Sequence, residues 1–497
     1  MKSSIATLLV VLNCAYCFAQ QSIQTSILDP NSGFFVFWSA GTTSDTGLIF
    51  AGVSNFPNAG LMKTDGNLVP EWYKIYPGVW EFDHAVETPD QGYIALGKTS
   101  NGKAVLMKTD SVGTVQWTAI RSTGSTYGGG HIQVLPSGDY SVVGEGNGSA
   151  VMMLRADTNG NIVWEKNYPL TADAQNFRFA EPTPEHGWII CATYASSGGT
   201  CLMKTDSMGN ILWQRNLSPG THGFSVHADE NGYFLGSYTG SAHIVIRTDT
   251  SGNVLWARQW PMLYSNNVSE YAFSVTQSGE ELLCYGNRYV GVQAIPLMIS
   301  FDTAGNVLWK KYYSTNFATN SSGGSMAITT QDNKILLVSY ENQNTNAWFV
   351  KMDTTGVATC NDMDAVLSIS PYTVVLGAAS ISPTLNVNPW TTTTISDSVG
   401  IVNVTTLCGP LVVAPHVQNN QLVVYPNPAT DQLFIDHPEN ESCAFELMDA
   451  TGRLVMHQDI PKGESHTLIN VADLSPGIYL WRLSGTAELH SGKVVIE

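Results

Sequence analysis

The sequence predicts an all-β fold, a seven-bladed β-propeller followed by a small Ig-like β-sandwich. Three observations predict it: a turn motif recurs seven times between residues 61 and 360, a strand-like apolar segment precedes each copy, and no stretch shows helical periodicity. Charged residues make up only 13% of the 497 residues, whereas Gly (45) is abundant. This composition is typical of a β-rich protein with many turns.

The recurring motif reads KTDSMGNILW at residues 204–213. Its aspartate returns every 43 to 53 residues, and in six copies a Trp follows seven positions later. The members are Asp65 and Trp72, Asp110 and Trp117, Asp157 and Trp164, Asp206 and Trp213, Asp249 and Trp256, Asp302 and Trp309, and finally Asp353, where Cys360 replaces the Trp.

Physical chemistry explains why the motif recurs. Asp-x-x-Gly fits a type I turn in which the Asp side chain accepts backbone N–H groups and Gly adopts the left-handed conformation. We expect this turn to link the third and fourth strands of each blade, and the Trp to dock between neighbouring sheets. A period of this length with four strands predicts a propeller over residues 20–360.

The motif resembles the Asp-box of sialidase-type propellers, although its Asp-to-Gly spacing is three rather than two. It is more similar to the repeats of quinoprotein-like and outer-membrane assembly propellers. Both resemblances imply the fold and neither implies an active site. A basic residue stands two positions before most of the aspartates, and we interpret this Lys-x-Asp pattern as a partly solvated ion pair.

The two ends of the chain carry signals of export. Residues 1–19 combine Lys2, an apolar run and small residues before Gln20, as a secretory signal peptide does. Residues 422–497 alternate short strands with turns, which predicts the small β-sandwich. Residues 361–421 are rich in Thr, Ser, Val and Pro, and could form a closing strand, a small β-module or a linker.

Four motifs in the last part of the chain occur in a fixed order: YPNPA (425–429), DATGRLV (449–455), LSPGIY (474–479) and GKVVI (492–496). They resemble the type A C-terminal sorting domain of the type IX (Por) secretion system of Bacteroidetes-type bacteria. The resemblance implies that residues 422–497 contact the type IX secretion machinery. It also implies transport to the extracellular space or the outer cell surface, with removal of the tail.

Six cysteines remain after signal cleavage, and export makes disulfides feasible. Cys191 and Cys201 flank a hairpin turn, and counting outwards places them opposite each other, either bridged or as two packed thiols. Cys360 and Cys408 are the other candidate pair. Cys284 lies in an apolar strand, where we expect a buried thiol.

The sequence contains no recognisable catalytic motif, and neither a metal site nor a cofactor is expected. The net charge of −18 argues against nucleic acid as a partner. The residues that lead into each innermost strand are the candidate ligand contacts, since aromatic and imidazole side chains there could rim the channel mouth: His84, His131, Phe179, Phe224 and Tyr271. The alternative for these residues is packing between blades.

Three functions fit these observations. The first is a secreted or surface-displayed binding module for a glycan or protein ligand, and the second is an extracellular propeller glycosidase or polysaccharide lyase. The third is a structural surface protein without a small ligand. Fold alone does not decide among them, because propellers host many functions.

Overall fold

The structure is a computed structural model, and it describes most of the chain in segments. The described residues are 23–28, 35–54, 57–122, 130–146, 150–169, 174–194, 199–218, 222–239, 241–261, 274–290, 293–313, 326–341, 346–358, 362–364, 369–378, 381–386, 390–393, 395–408, 423–425, 428–436, 442–449, 453–463, 466–484 and 490–496. They divide into two compact units, residues 1–410 and 411–497.

The described residues of the repeated part of the first unit include twenty-eight strands. In chain order they are β1 (Ile23–Leu28), β2 (Phe35–Thr42), β3 (Leu48–Ser54), β4 (Asn58–Thr64), β5 (Pro70–Tyr76), β6 (Glu81–Glu87), β7 (Tyr93–Lys98), β8 (Ala104–Thr109), β9 (Val115–Arg121), β10 (Gly130–Val134), β11 (Tyr140–Glu145), β12 (Ala150–Ala156), β13 (Ile162–Pro169), β14 (Ala174–Pro182), β15 (Trp188–Tyr194), β16 (Gly199–Thr205), β17 (Ile211–Ser218), β18 (His222–Asp229), β19 (Gly232–Tyr238), β20 (Ala242–Thr248), β21 (Val254–Pro261), β22 (Ser274–Ser278), β23 (Glu281–Val290), β24 (Gln293–Phe301), β25 (Val307–Tyr313), β26 (Met326–Thr329), β27 (Ile335–Glu341) and β28 (Asn346–Met352).

These strands form antiparallel sheets of consecutive strands. Sheets 1 to 6 begin with β2–β5, β6–β9, β10–β13, β14–β17, β18–β21 and β22–β25, and sheet 7 contains β26–β28 followed by β1. The first strands of the sheets contact one another in a closed cycle, from β2 through β6, β10, β14, β18 and β22 to β26 and back to β2. The prediction of an all-β propeller fold is confirmed, and the number of seven blades stays a prediction.

The N-terminal strand closes the ring. β1 pairs antiparallel with β28 from Ile23 opposite Lys351 to Leu28 opposite Asn346, and so supplies the fourth strand of sheet 7. The seventh repeat therefore needs no fourth strand of its own. This explains why its motif ends in Cys360 rather than Trp, although Cys360 itself lies outside the described residues.

Residues 362–408 add a fifth, outermost strand to every sheet, and we call this segment the strap. Its strands are β29 (Asp362–Asp364), β30 (Ser370–Pro371), β31 (Val375–Ala378), β32 (Thr384–Asn386), β33 (Trp390–Thr393), β34 (Ser398–Val399) and β35 (Asn403–Cys408). They pair with β25, β21, β17, β13, β9, β5 and β1 in that order. The strap thus passes the sheets in the reverse of chain order. Within residues 362–408 the described strands are thus added to the sheets of the first unit one after another.

The strap also inserts apolar side chains between neighbouring sheets. Ile381 is 5% exposed and packs in the core between sheets 3 and 4, and Ile395 packs between sheets 1 and 2. Ile369, Tyr372, Val374, Trp390 and Val402 contact four further inter-sheet cores. Val374, Ile381, Ile395 and Val402 are separated by multiples of seven residues, which is the length of strap per sheet. The strap therefore stabilises the ring by burial as well as by strand pairing.

The repeated turn has the predicted geometry. The Asp206 carboxylate accepts the backbone N–H groups of Met208 at 2.9 Å and Asn210 at 2.7 Å, and Gly209 has a φ of +72°. The first six turns link the third and fourth strands of their sheets, as expected, whereas the turn at Asp353 follows β28 and leads into the strap. The close approach of the preceding repeat was not predicted: a Cβ atom added at Gly209 would lie 3.0 Å from the ring of Trp164.

This contact repeats around the ring and defines how the sheets dock. A Cβ at the turn glycines Gly113, Gly160, Gly252, Gly305 and Gly356 would likewise meet the Trp of the preceding repeat at 2.5 to 2.9 Å. Several of these tryptophans also donate their indole N–H to a carbonyl of that turn, as Trp256 does to Thr303 at 2.8 Å. The prediction that the Trp docks between neighbouring sheets is confirmed, and its docking partner is the turn.

The junction between sheets 7 and 1 differs in a consistent way. The fourth strand there is β1, whose register places Ile23 where the other sheets carry Trp. The facing turn has Leu68 with a φ of +68° in place of glycine, and Leu68 is buried in the core of this junction. Since no indole ring approaches this turn from the strand position, a residue with a side chain is accommodated.

The partner in the Lys-x-Asp interpretation is wrong, because the basic residues pair with a different acid, although the pairs are partly solvated through acids such as Asp45 and Asp90, whose side chains are 53% and 55% exposed. Lys63 is 2% exposed, and its Nζ atom lies 2.8 Å from Asp45, in the turn that joins the first two strands of the same sheet. Lys108 pairs in the same way with Asp90 at 2.8 Å. The equivalent pairs in other sheets are Arg155 with Asp139, Lys204 with Glu185, Arg247 with Asp229 and Lys351 with Asp332. The pairs connect two turns, so both turns lie on one side of the ring.

Cys191 and Cys201 are two packed thiols rather than a disulfide. The register pairs Cys191 with Leu202 and Cys201 with Ala192, one residue away from the expected alignment. Because a shift of one residue reverses the face of a strand, the two sulfur atoms lie in different cores. Cys284 is buried as expected, and burial raises the pKa of its thiol. Cys408 ends β35, and the proposed bridge to Cys360 cannot be placed within the described residues.

The second unit is a β-sandwich, as predicted. Its strands are β36 (Val423–Tyr425), β37 (Gln432–Asp436), β38 (Cys443–Met448), β39 (Leu454–Ile460), β40 (His466–Asn470), β41 (Gly477–Ser484) and β42 (His490–Ile496). They form a sheet ordered β36-β37-β40 and a sheet ordered β39-β38-β41-β42. The two sheets share one core that includes Leu433, Phe445 and Leu483. No described residue of either unit lies in a helix, so no helix in this part of the chain could cross a membrane.

Candidate binding site at the end of the ring

The structure brings three of the five predicted ligand contacts together. His84, His131 and Phe179 lie on β6, β10 and β14, which are neighbouring innermost strands. The ring centroids are 5.0 Å apart for His84 and His131, and 4.1 Å apart for His131 and Phe179. Phe224 lies on β18 but its side chain is outside the described part of the chain, and Tyr271 lies outside it entirely. Contact with a ligand stays a prediction for all five.

The two imidazoles are neutral at neutral pH. Burial lowers the pKa of His84 to about 4, and burial together with the adjacent His84 holds the pKa of His131 well below its usual range. The backbone N–H of Ile132 donates to Nδ1 of His84 at 3.3 Å. Nδ1 is therefore the acceptor nitrogen, and the ring proton of neutral His84 lies on Nε2.

A cleft of about 520 Å³ lies where the first strands end and turn into the second strands. Four consecutive sheets contribute to it, and we call it the turn cleft. Its lining consists of Ser44 from sheet 1, Glu87, Thr88, Pro89 and Gln91 from sheet 2, Val134, Leu135 and Pro136 from sheet 3, and His186 from sheet 4. This set combines apolar side chains with a few polar groups, as ligand sites commonly do.

Hydrogen bonds between sheets hold the polar walls of the turn cleft in place. Glu87 accepts the backbone N–H of Ser44 at 2.6 Å and the Ser44 hydroxyl at 3.0 Å, which joins sheets 1 and 2. Gln133 donates from Nε2 to the carbonyl oxygens of His186 and Gly187, at 3.3 and 3.2 Å, which joins sheets 3 and 4. These bonds tie the turn of sheet 1 to sheet 2 and the turn of sheet 4 to sheet 3.

Two lining residues are held in an unfavourable backbone conformation. Gln91 has a φ of +63° and His186 a φ of +61°, at equivalent positions just before the glycine of their turns. Sheet 3 has Gly138 at this position with a φ of +86°. A residue other than glycine costs of the order of 1 kcal/mol in the left-handed region. Thr46 in sheet 1 and Asn333 in sheet 7 have the same conformation at this position, with φ of +71° and +55°, so the conformation belongs to the turn, and Gln91 and His186 differ from them in lining the cleft.

Sequence reasoning missed the turn cleft because it searched the loops at the other ends of the innermost strands. Two residues in the sequence could have indicated these turns: the glutamine of PDQG (89–92) and the histidine of PEHG (184–187). Both stand at a turn position where glycine or asparagine is favoured. The described residues include no cluster of three or more His, Cys, Asp or Glu side chains that could hold a metal ion.

Among solved structures, the chain is similar to a protein of unknown function from Bacteroides caccae, with a TM-score of 0.32 and 13% identity over 58% of this chain and 93% of that one. A functionally unknown protein from Desulfotomaculum acetoxidans has a TM-score of 0.35 and 12% identity over 69% and 98% of the two chains. Phage phi92 endosialidase has a TM-score of 0.37 and 10% identity, over 66% and 69%. No curated protein matches the chain.

Residues 423–497 match the family described as the secretion system C-terminal sorting domain. This range covers every strand of the second unit, from β36 to β42. It also contains the four motifs that the sequence shows in this order. The second unit of this chain is therefore a secretion system C-terminal sorting domain, which indicates export by the type IX secretion system.

Proposed function

We propose that the first unit is a binding module that works at the cell surface or in the extracellular space and takes its ligand in the turn cleft. One observation carries this proposal: a preformed cleft of about 520 Å³ at which turns from four sheets meet. The sorting domain accounts for delivery of the module, and the ring accounts for its rigidity.

The chemistry of the cleft supports binding. Val134, Leu135 and two prolines offer apolar surface, and the exposed Gln91 and His186 side chains also line the cleft. Glu87 and Ser44 add a hydrogen-bonding pair fixed between two sheets. The bonds between Glu87 and Ser44 hold this pair in place, which lowers the entropy that its ordering costs on binding.

A ligand screen with matched variants tests this proposal. Residues 20–497 are tested against neutral, acidic and amine-bearing oligosaccharides and short peptides, with isothermal titration calorimetry as the readout. We expect the Gln91→Ala, His186→Ala double variant to bind a ligand of the wild type at least about tenfold more weakly, which corresponds to about 1.4 kcal/mol.

Asn333→Ala is the control, because Asn333 occupies the equivalent left-handed position in sheet 7, with a φ of +55°, and does not line the cleft. Equal loss in the control, or unaltered binding in the double variant, would contradict the proposal. Cleavage of an oligosaccharide during the screen would instead favour the glycosidase or lyase alternative.

A further inference from the structure

The charged groups around the turn cleft are unevenly balanced. The acids of the four surrounding turns are Asp45, Asp90, Asp139 and Glu185, and each is paired with one basic side chain of its own sheet. These pairs cancel. Glu87 is the charged residue that lines the cleft itself, and the lining contains no Lys or Arg. The cleft therefore presents one uncompensated carboxylate.

This carboxylate is fixed but has spare hydrogen-bonding capacity. Each Glu87 oxygen accepts one hydrogen bond from Ser44. A carboxylate offers about four acceptor sites, so about two remain for a ligand. An anionic ligand would meet this charge without a cation to offset it, which disfavours acidic glycans and phosphorylated groups.

The other lining groups suit a cation on an aliphatic chain. The Gln91 side chain brings an amide oxygen and His186 brings an imidazole, both of which can accept N–H donors. Val134, Leu135, Pro89 and Pro136 offer the apolar surface on which methylene groups pack. An ammonium group carries three donors and no acceptor, whereas a neutral hydroxyl would leave the charge of Glu87 uncompensated.

We propose that the turn cleft binds a primary ammonium group on an alkyl chain, with Glu87 as its counter-ion. Two sources carry this chemistry, the lysine side chain of a peptide and a free alkyl diamine. The inference rests on the proposed binding function and specifies its ligand class. The acidic chain as a whole, with a net charge of −18, attracts such cations at long range.

The test compares amine probes with their neutral isosteres. Calorimetry or NMR titration at low salt measures binding of acetyl-Gly-Lys-Gly-amide and of 1,5-diaminopentane to residues 20–497. The same peptide with acetylated lysine or norleucine is the neutral probe. We expect the amine peptide to bind at least about tenfold more tightly than either neutral peptide, because a charge-assisted hydrogen bond is lost in both. This comparison needs no variant, so it holds even where a substitution disturbs folding.

Matched variants then assign the effect to the cleft. Glu87→Gln should reduce binding of the amine peptide by about tenfold, while Glu230→Gln should leave it unchanged, since Glu230 is an exposed turn acid of sheet 5 outside the cleft. Equal affinity for amine and neutral peptides, or equal loss in both variants, would overturn the inference. Binding of the peptide without the diamine would assign the ligand to a protein partner.

The outcomes separate the inference from the proposed function. If a neutral oligosaccharide binds wild type and is lost in the Gln91→Ala, His186→Ala double variant, while amines do not bind, the binding function stands and the ammonium inference falls. If no probe in the screen binds the double variant more weakly than the wild type, both the binding function and the ammonium inference are wrong.

Discussion

Substituting one turn glycine tests whether the indole contact, and not only the turn conformation, requires glycine. In Gly252→Ala the new Cβ would lie 2.8 and 2.9 Å from ring atoms of Trp213, at a φ of +79°. Gly279 is the matched control, since its φ is +59° and no described atom lies within 4 Å of a Cβ placed there.

The expected magnitudes follow from these geometries. Alanine in the left-handed region costs about 1 kcal/mol, and this cost applies to both substitutions. Overpacking against a rigid indole adds about 1–3 kcal/mol at Gly252 alone. We therefore expect Gly252→Ala to lose about 2–4 kcal/mol of unfolding free energy, and Gly279→Ala about 1 kcal/mol.

Urea unfolding followed by tryptophan fluorescence measures both losses, and a double-mutant cycle identifies the cause. In a Trp213→Leu background the ring is absent, so Gly252→Ala should cost no more than Gly279→Ala does in the wild type. Equal losses for the two glycine variants would refute the explanation. So would a loss at Gly252 that persists without the indole.

Three further predictions test the strap and the buried titratable groups. Ile381→Ala should destabilise the first unit by about 2 kcal/mol or more, because it removes a strap side chain from an inter-sheet core. The control is Leu385→Ala, which should change the melting temperature little, because Leu385 lies on the same strap and is 70% exposed. The pKa of His84 is about 4 in the folded state, below its unfolded value, so the free energy of unfolding should fall as the pH drops from about 6.5 towards 4. The double variant His84→Gln, His131→Gln should flatten this part of the stability–pH curve, and an unchanged curve would contradict burial of the imidazoles as the cause. Burial tends to raise the pKa of Asp90, but hydrogen bonds from its lysine and threonine partners lower this pKa to about 2. The stability that the Asp90 carboxylate contributes should therefore be present above about pH 4 and be lost between pH 4 and 2, and Asp90→Asn should not show this loss.

The sequence determined those features that depend on neighbouring residues. The Asp-x-x-Gly turn is a local structure, because the Asp206 side chain bonds amides two and four positions away. Its repetition predicted strand order within each sheet, the all-β propeller fold and the position of the Trp. The sorting domain was recognised for the same reason, since its four motifs are short and lie in order.

Tertiary structure decided what depends on pairing between distant residues. The register of β15 and β16 differs by one residue from the count that placed Cys191 opposite Cys201, and so separates the two sulfur atoms. Lys63 pairs with Asp45, eighteen residues upstream, rather than with the Asp two residues away, because the turn between the first two strands returns to the end of the third.

Ring closure and the turn cleft are also non-local. β1 completes a sheet whose other strands lie more than three hundred residues later, and the strap visits all the sheets in reverse, a path that composition alone does not encode. The turn cleft exists only where turns from four sheets converge around Glu87. Each turn is predictable from its own residues. The place where the four turns meet depends on how whole sheets dock, and therefore the cleft could be found only in the folded ring.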